Sequence, residues 1–324
     1  MIKISSFEFQ YPFFQAALAG YTDYPMRILA RRFGCPLAFT GVMLDKIALH
    51  PKAIKMPRFR PSDGDHPIGA QILGDDPKTI AAAAAVFRQI GYDLIDLNFA
   101  CPALKVLRCQ RGGYLMQKPA FIRETYLRTK QAVSCPVWMK LRVGFDHSDA
   151  AQEDFWQIIE NAAQDKADAI AVHGRTVKQK YRQKADWDII TRIKKKYPGL
   201  TVIGSGDLLD AQTAVGRLRQ SGVDAVLIAR GAIGNPWIFR ELAALWQNLP
   251  APAEPTLAEQ GQVMLEHFEI ICRDLPDSKA VPYFRKFAVG YVKRHQQRKK
   301  TLLDIMSAEN AEQLVGVIEK CYGL

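Results

Sequence analysis

The sequence lacks the spacings that mark a metal site or a disulfide framework. Its six cysteines include no CxxC pair, and its six histidines include no HxxxH pair. Zinc ligands and structural disulfides usually come in such closely or regularly spaced sets. We therefore expect no bound metal and no disulfide framework.

Long apolar runs are also missing. No stretch approaches the roughly 18 uninterrupted apolar residues that a membrane span needs, and residues 1–14 lack the apolar centre of a signal peptide. The 324 residues, 48% of them hydrophobic, are nevertheless enough for a sizeable core. The sequence predicts a cytoplasmic protein without a membrane segment, and we take a monomer as its expected form.

Acidic residues are absent from residues 279–300, although the whole chain has 33 of them. The basic residues of this stretch are Lys279, Arg285, Lys286, Lys293, Arg294, Arg298, Lys299 and Lys300. With the net charge of +11, they indicate an anionic partner such as nucleic acid. Aromatic residues recur here at helical spacing, so we expect Phe284 and Phe287 to face a core while the basic side chains contact phosphates.

The first 247 residues repeat one unit, in which an apolar strand pattern precedes a helical pattern. The predicted strands are 13–18, 37–42, 67–73, 93–98, 136–142, 168–173, 200–205 and 223–229, and predicted helices include 77–90, 121–133, 151–164 and 210–220. Eight such units match the size of a TIM barrel. A doubly wound sheet remains an alternative, because counting strands does not close a barrel.

The repeat ends at residues 248–255, which contain three prolines and are typical of a linker. Residues 257–324 have a helical pattern throughout. The sequence therefore predicts an α/β TIM barrel over residues 1–247, followed by a smaller all-helical domain over residues 248–324.

Polar residues collect at the predicted carboxyl ends of the strands, where barrels carry their active sites. They are Gln71, Asn98, Cys101, Lys140, Arg142, His173, Arg175, Ser205, Gly206, Asp207 and Arg230. Cys101 is the first candidate for a reactive group, since it follows a buried strand. Glycines at the ends of the seventh and eighth strands are typical of a phosphate site, which indicates a phosphate-bearing cofactor.

Five motifs resemble those of the tRNA-dihydrouridine synthase family, most closely its B-type bacterial branch. They lie at residues 19–27, 96–102, 139–142, 172–176 and 235–239. The resemblance implies a TIM barrel that carries FMN, a helical domain that binds tRNA, and NADPH as the reductant. It implies reduction of uridine to 5,6-dihydrouridine, with hydride from reduced FMN to C6 and a proton from Cys101 to C5.

The resemblance also implies roles for individual residues. It assigns FMN to Ala17, Leu18, Gln71, Lys140, His173, Ser205, Gly206, Asp207, Ala229 and Arg230. It assigns the RNA substrate to Asn98, Arg142 and Arg175. From the basic stretch 279–300, which we call the basic tail, we add Lys293, Arg294, Arg298 and Lys299 as expected RNA contacts.

Several positions depart from the family pattern. Ala17 replaces a proline, Gly41 a glutamate, Ala100 a glycine, Ser205 an asparagine and Ala229 a glycine. Two alternatives therefore stay open. One is an FMN-dependent reductase of another RNA class or of a small pyrimidine, and the other is an inactive RNA-binding paralogue.

Overall fold

The computed structural model describes residues 1–56, 59 and 61–324, and a closed parallel barrel forms its centre. An antiparallel hairpin, β1 (Ile2–Ile4) and β2 (Phe7–Phe9), precedes the barrel. The barrel strands are β3 (Phe13–Gln15), β4 (Ala38–Phe39), β5 (Met43–Leu44), β6 (Ile68–Leu73), β7 (Leu94–Asn98), β8 (Val137–Arg142), β9 (Ala169–His173), β10 (Val202–Ser205) and β11 (Ala225–Ile228). Parallel pairing runs β4–β3–β11–β10–β9–β8–β7–β6, and β4 also pairs with β6. This last pairing closes the ring, so the predicted TIM barrel is confirmed.

The second predicted strand, 37–42, is shorter in the structure: only β4 lies within it, and β5 follows beyond its predicted end. Its part β4 pairs with both β3 and β6, whereas β5 pairs with the carboxyl half of β6. The first predicted strand is shorter than expected, because residues 16–18 leave the ladder and line a cavity. Both differences lie at the carboxyl rim, where loops shape the site.

The barrel interior is filled by large rings that alternate with alanines. Phe14, Phe39 and Trp138 share this inner cluster with the small side chains of Ala169 and Ala171. The hairpin, which the sequence analysis missed, adds Ile4 and Phe9 to the same cluster at the amino ends of the strands. The hairpin therefore covers one end of the barrel and leaves the other end for a ligand.

Helices surround the barrel, and aspartate or serine side chains cap several of them. These helices are α1 (Tyr24–Arg32), α2 (Asp45–Ala48), α3 (Pro77–Gln89), α4 (Leu104–Arg108), α5 (Pro119–Ala132), α6 (Asp149–Gln164), α7 (Trp187–Lys196), α8 (Ala211–Ser221) and α9 (Ile238–Trp246). Asp76, Ser148 and Asp210 each accept a hydrogen bond from a backbone N–H in the first turn of α3, α6 and α8. All four predicted helices are confirmed within two or three residues.

The remaining chain is helical, as predicted. It forms α10 (Leu257–Asp274), α11 (Asp277–Tyr291), α12 (Arg298–Ser307) and α13 (Ala311–Tyr322). No helix among the described residues is long and apolar enough to cross a membrane. One hydrophobic core runs through the barrel and these helices, so the division at residue 247 stays a prediction.

The helical region lies against the barrel loops that follow β3 and β11. Tyr283 donates a hydrogen bond to Asp23 Oδ2 at 2.6 Å, and Lys286 donates one to the carbonyl of Gly20. Gly234, in the loop after β11, and Gly290, in α11, permit a close approach of the two backbones. A Cβ atom on Gly290 would lie 1.9 Å from the carbonyl oxygen of Ile233. The contact thus requires glycine at this position of α11.

Replacing Gly290 with alanine should lower the free energy of unfolding by roughly 1–3 kcal/mol, because the added methyl group overpacks this contact. Gly316→Ala is the matched control, since a Cβ there meets nothing within 4 Å and lies on an exposed turn of α13. It should stabilise the chain by up to about 1 kcal/mol through helix propensity. Thermal or urea unfolding measures both changes, and equal stability of Gly290→Ala and wild type would contradict the prediction.

Candidate active site

A cavity opens at the carboxyl ends of the barrel strands. It is lined by all the residues that the sequence analysis assigned to the cofactor: Ala17, Leu18, Gln71, Lys140, His173, Ser205, Gly206, Asp207, Ala229 and Arg230. Asn98, Cys101 and Arg142 also line it. The fold therefore collects these side chains in one place, while their roles toward a ligand stay predictions.

Cys101 lies in a turn that follows β7 and is held by backbone hydrogen bonds. Asn98 Oδ1 accepts from the N–H groups of Ala100 and Cys101, each at 3.0 Å. Gly113 donates its N–H to the Cys101 carbonyl at 3.0 Å, and a Cβ on Gly112 would lie 3.0 Å from Cys101 Cβ. The turn presents a partly exposed thiol to the cavity in a fixed position.

A chain of amides links this turn to a buried carboxylate. Asn98 Nδ2 donates to Gln71 Oε1 at 2.7 Å, and Gln71 Nε2 donates to Asp96 Oδ2 at 2.7 Å. The backbone N–H groups at one end can only donate, and an ionised carboxylate at the other end can only accept. Both amides therefore have a defined orientation.

Lys140 lies beside Asn98 on the next strand, β8. The only hydrogen bond from its ammonium group to a described residue is a long one, 3.5 Å from Nζ to the Leu141 carbonyl. Burial, assisted by the charge of Arg142, lowers the pKa of Lys140 to about 7, and Asp96 opposes this shift. Burial raises the pKa of Asp96 to about 6 against the hydrogen bond from Gln71 and the charge of Lys140. The ammonium group thus has spare donors that line the cavity.

His173 is neutral at physiological pH. Burial lowers its pKa well below the usual value, and the charges of Lys140, Arg142, Arg175 and Arg230 lower it further. Arg175 Nη1 lies 3.3 Å from His173 Nε2. Because arginine can only donate, Nε2 accepts and the imidazole proton is on Nδ1.

One side of the cavity, lined by residues 205–207, 229 and 230, is rich in hydrogen-bond donors. Asp207 Oδ2 lies 2.7 Å from Arg175 Nη2, and Oδ1 lies 3.1 Å from Arg230 Nη2, so one carboxylate orients two cations. The backbone N–H groups of Gly206, Asp207, Arg230 and Gly231 have no acceptor among the described residues. Such unpaired N–H groups next to a guanidinium are suited to an anion.

Arg142 and Arg175, whose contact with the substrate stays a prediction, are held mainly by backbone carbonyl groups. Both are 3% exposed. Arg142 donates to the carbonyls of Ala100, Thr176 and Lys180, and Arg175 donates to those of Arg182 and Gln183. Their hydrogen-bonding groups are largely committed to backbone, so these arginines hold the loop 174–186 over the cavity.

That loop contributes Tyr181, which the sequence analysis did not identify. Tyr181 is 56% exposed, lines the cavity, and has its ring centre 5.7 Å from the Arg142 guanidinium and 5.2 Å from that of Arg230. Its neighbours Arg182 and Lys184 are also exposed. In the sequence, a tyrosine beside Arg182 and Lys184 was the signal that could have indicated it.

The basic stretch of the tail divides into two groups. Arg294 contacts Glu241 at 2.5 Å and also pairs with Glu254, so it joins α9 and the linker rather than facing outward. These two ion pairs argue against its expected role as a phosphate contact. The exposed members without an ion pair to a described residue are Lys279, Lys293, Arg298, Lys299 and Lys300. Phe284 and Phe287 are fully buried, as predicted.

Comparison with known proteins gives a consistent result. Residues 14–320 match the family model described as dihydrouridine synthase (Dus). The chain is 32% identical over 293 residues to the probable tRNA-dihydrouridine synthase of Rickettsia conorii, which covers 90% of this chain and 87% of that protein. It is 32% identical over 320 residues to tRNA-dihydrouridine synthase B of Shewanella oneidensis, covering 98% and 97% of the two chains.

The barrel also resembles a solved structure, that of histamine dehydrogenase from Rhizobium sp. 4-9. The TM-score is 0.56 at 15% identity, and the match covers 83% of this chain and 50% of the other, so the chain spans about half the length of that enzyme. This likeness concerns the fold. The family model and the relatives extend over nearly the whole sequence, and on that ground the chain belongs to the dihydrouridine synthase family.

Proposed function

We propose that the protein is an oxidoreductase that reduces specific uridines in tRNA to 5,6-dihydrouridine, with FMN as cofactor and NADPH as reductant. One observation carries this proposal. The Cys101 thiol lines the same cavity as the Lys140 ammonium and the donor-rich side formed by residues 205–207, 229 and 230. Membership of the family and the names of the relatives support the same substrate.

The cavity suits FMN in charge and in hydrogen-bonding capacity. Lys140 would donate to the acceptor atoms on the pyrimidine side of the flavin, where its ammonium has spare donors. Arg230 and the unpaired N–H group of Gly206 would hold the phosphate. When bound, reduced FMN supplies the hydride that adds to C6 of uracil.

Cys101 would supply the proton that the reaction also needs. Addition of hydride at C6 leaves negative charge that is delocalised onto C5 and the C4 carbonyl oxygen, and transfer of the thiol proton to C5 completes the saturated ring. A thiol can act as this general acid. The resulting thiolate regains a proton from solvent, since Cys101 is partly exposed.

The uridine must leave its stacked position to reach the cavity. Two surfaces are suited to hold the RNA around it. One is the rim loop with Tyr181, Arg182 and Lys184, and the other is the tail surface with Lys293, Arg298 and Lys299. Cations near phosphates release counterions and supply affinity that does not depend on the base.

Lys140→Ala should weaken FMN binding at least about tenfold, because a buried charged donor is lost. In the wild type, FMN affinity should fall as the pH rises above about 7, since the free protein then loses the Lys140 proton that the bound anion favours. Fluorescence titration of the apoprotein with FMN measures both. Lys130→Ala is the control, because Lys130 pairs with Asp168 outside the cavity. A wild-type protein that is purified colourless and takes up no FMN would instead support the inactive paralogue.

Cys101→Ala should abolish uridine reduction while NADPH still reduces the flavin, because the first step does not use the thiol. General-acid catalysis contributes about 10²–10⁴-fold, which sets the expected loss in single-turnover reduction of tRNA. Cys109→Ala, on the same loop but exposed, should keep the wild-type rate. Reduction of tRNA by Cys101→Ala at the wild-type rate would refute the assigned role. Free uridine as a second substrate separates an RNA enzyme from a reductase of small pyrimidines.

Joint replacement of Lys293, Arg298 and Lys299 with glutamine should weaken tRNA binding and flatten its salt dependence. Each lost phosphate contact should lower the slope of log K against log salt by about 0.7–0.9. FMN content should not change. Arg294→Gln is the contrasting variant, because its ion pairs with Glu241 and Glu254 stabilise the fold. It should lower the melting temperature while leaving the salt slope near the wild-type value, and an unchanged slope in the triple variant would show that this surface does not bind RNA.

A further inference from the structure

Asp96 is a buried carboxylate for which the proposed chemistry has no direct use. It is 2% exposed, and its Oδ2 accepts a hydrogen bond from Gln71 while its Oδ1 has no partner among the described residues. A buried charge with an unpaired oxygen destabilises a fold. Its presence beneath the cavity therefore calls for a functional reason.

The first consequence of Asp96 is directional. Gln71 can donate to Asp96 only through Nε2, which leaves Oε1 to accept from Asn98 Nδ2. Asn98 Oδ1 is then free to accept from the N–H groups of Ala100 and Cys101. A neutral amide at position 96 could offer either an acceptor or a donor to Gln71, so the orientation would no longer be imposed from this end.

The second consequence is electrostatic. Lys140 follows two residues after Trp138, the register partner of Asp96, and its ammonium makes one long hydrogen bond. Burial and Arg142 both favour loss of the Lys140 proton, and the charge of Asp96 favours keeping it. The carboxylate therefore supports a cation at the place where the proposed function needs one.

We propose that Asp96 is a positioning residue: its carboxylate orients the amide chain that shapes the Cys101 turn, and its charge keeps Lys140 cationic toward FMN. The electrostatic half of this inference rests on the proposed function. The directional half concerns the free protein alone, so the two can be tested apart.

Asp96→Asn in the full-length protein tests the electrostatic half. Its FMN affinity at pH 7.5 should fall about tenfold, a loss of the size found when the hydrogen-bond partner of a metal-ligating side chain is removed. The pH at which FMN binding weakens should move downward by about one unit, because Lys140 loses its supporting charge. A purely structural role of Asp96 would not shift this pH profile.

The thermal stability of the FMN-free variant provides a second discriminating measurement. Burial raises the pKa of Asp96, so the charged form is disfavoured in the folded state and lowers stability at pH values above the folded pKa of about 6. Asp96→Asn should therefore melt at or above the wild-type temperature at pH 7.5. Asp168→Asn is the matched control, since Asp168 accepts from Val137 N–H at 2.8 Å and from Lys130 at 2.5 Å just before β9. It should lower the melting temperature and keep FMN affinity and its pH profile.

Alkylation of Cys101 by iodoacetamide, followed by peptide mass spectrometry on the FMN-free protein, tests the directional half. Asp96→Asn and Gln71→Leu should each raise the rate severalfold, because both remove a hydrogen bond of the amide chain and loosen the turn. Wild-type alkylation together with a wild-type pH profile in Asp96→Asn would overturn the proposal. So would a loss of thermal stability like that of Asp168→Asn. If the wild type binds no FMN, the proposed function and the electrostatic half fail, while the alkylation rates still decide the directional half.

Discussion

The pairing of β4 with β6 closes the sheet, and the arrangement of the site depends on this closure. Once eight parallel strand positions form a ring, their carboxyl ends face one rim, and side chains two residues apart on a strand lie on the same face. Asp96 and Asn98 on β7 therefore stand one above the other, as do Trp138 and Lys140 on β8. Side chains from strands that are distant in sequence then contact each other when they lie at the same level along the barrel axis.

This geometry concentrates like charges in a small space. Lys140, Arg142, Arg175 and Arg230 all act on His173, and Asp96 and Asp207 offset only part of their charge. Holding cations together in a partly buried site is unfavourable unless an anion is present. The repulsion between these cations therefore destabilises the free protein, and an anionic ligand would relieve it. The same electrostatic free energy then determines both the affinity for the ligand and the pKa values of the lining groups.

The strands and most of their site residues could be predicted from the sequence, because strands buried on both faces give continuous apolar runs with polar residues at their ends. The short length of β4 and the separate strand β5 could not, since each is two residues long and depends on pairing with β6. The hairpin was missed because Phe7 and Phe9 alternate over three residues only. The contacts of Arg142 and Arg294 depend on partners far away in sequence, and an arginine that contacts backbone carbonyls has the same sequence signature as one that contacts phosphate.

The close approach of Gly234 and Gly290 has a consequence for how a substrate would be chosen. Gly234 belongs to the loop that follows β11 and that begins with Arg230 at the cavity, and Gly290 lies one turn of chain before Lys293. Backbone packed on backbone leaves no side chain between them to rearrange. The distance from Lys293, Arg298 and Lys299 to the Cys101 thiol is therefore fixed by the fold. A folded RNA bound by these cations would be recognised by its shape. The uridine that lies at the matching distance from them would be selected whatever bases surround it.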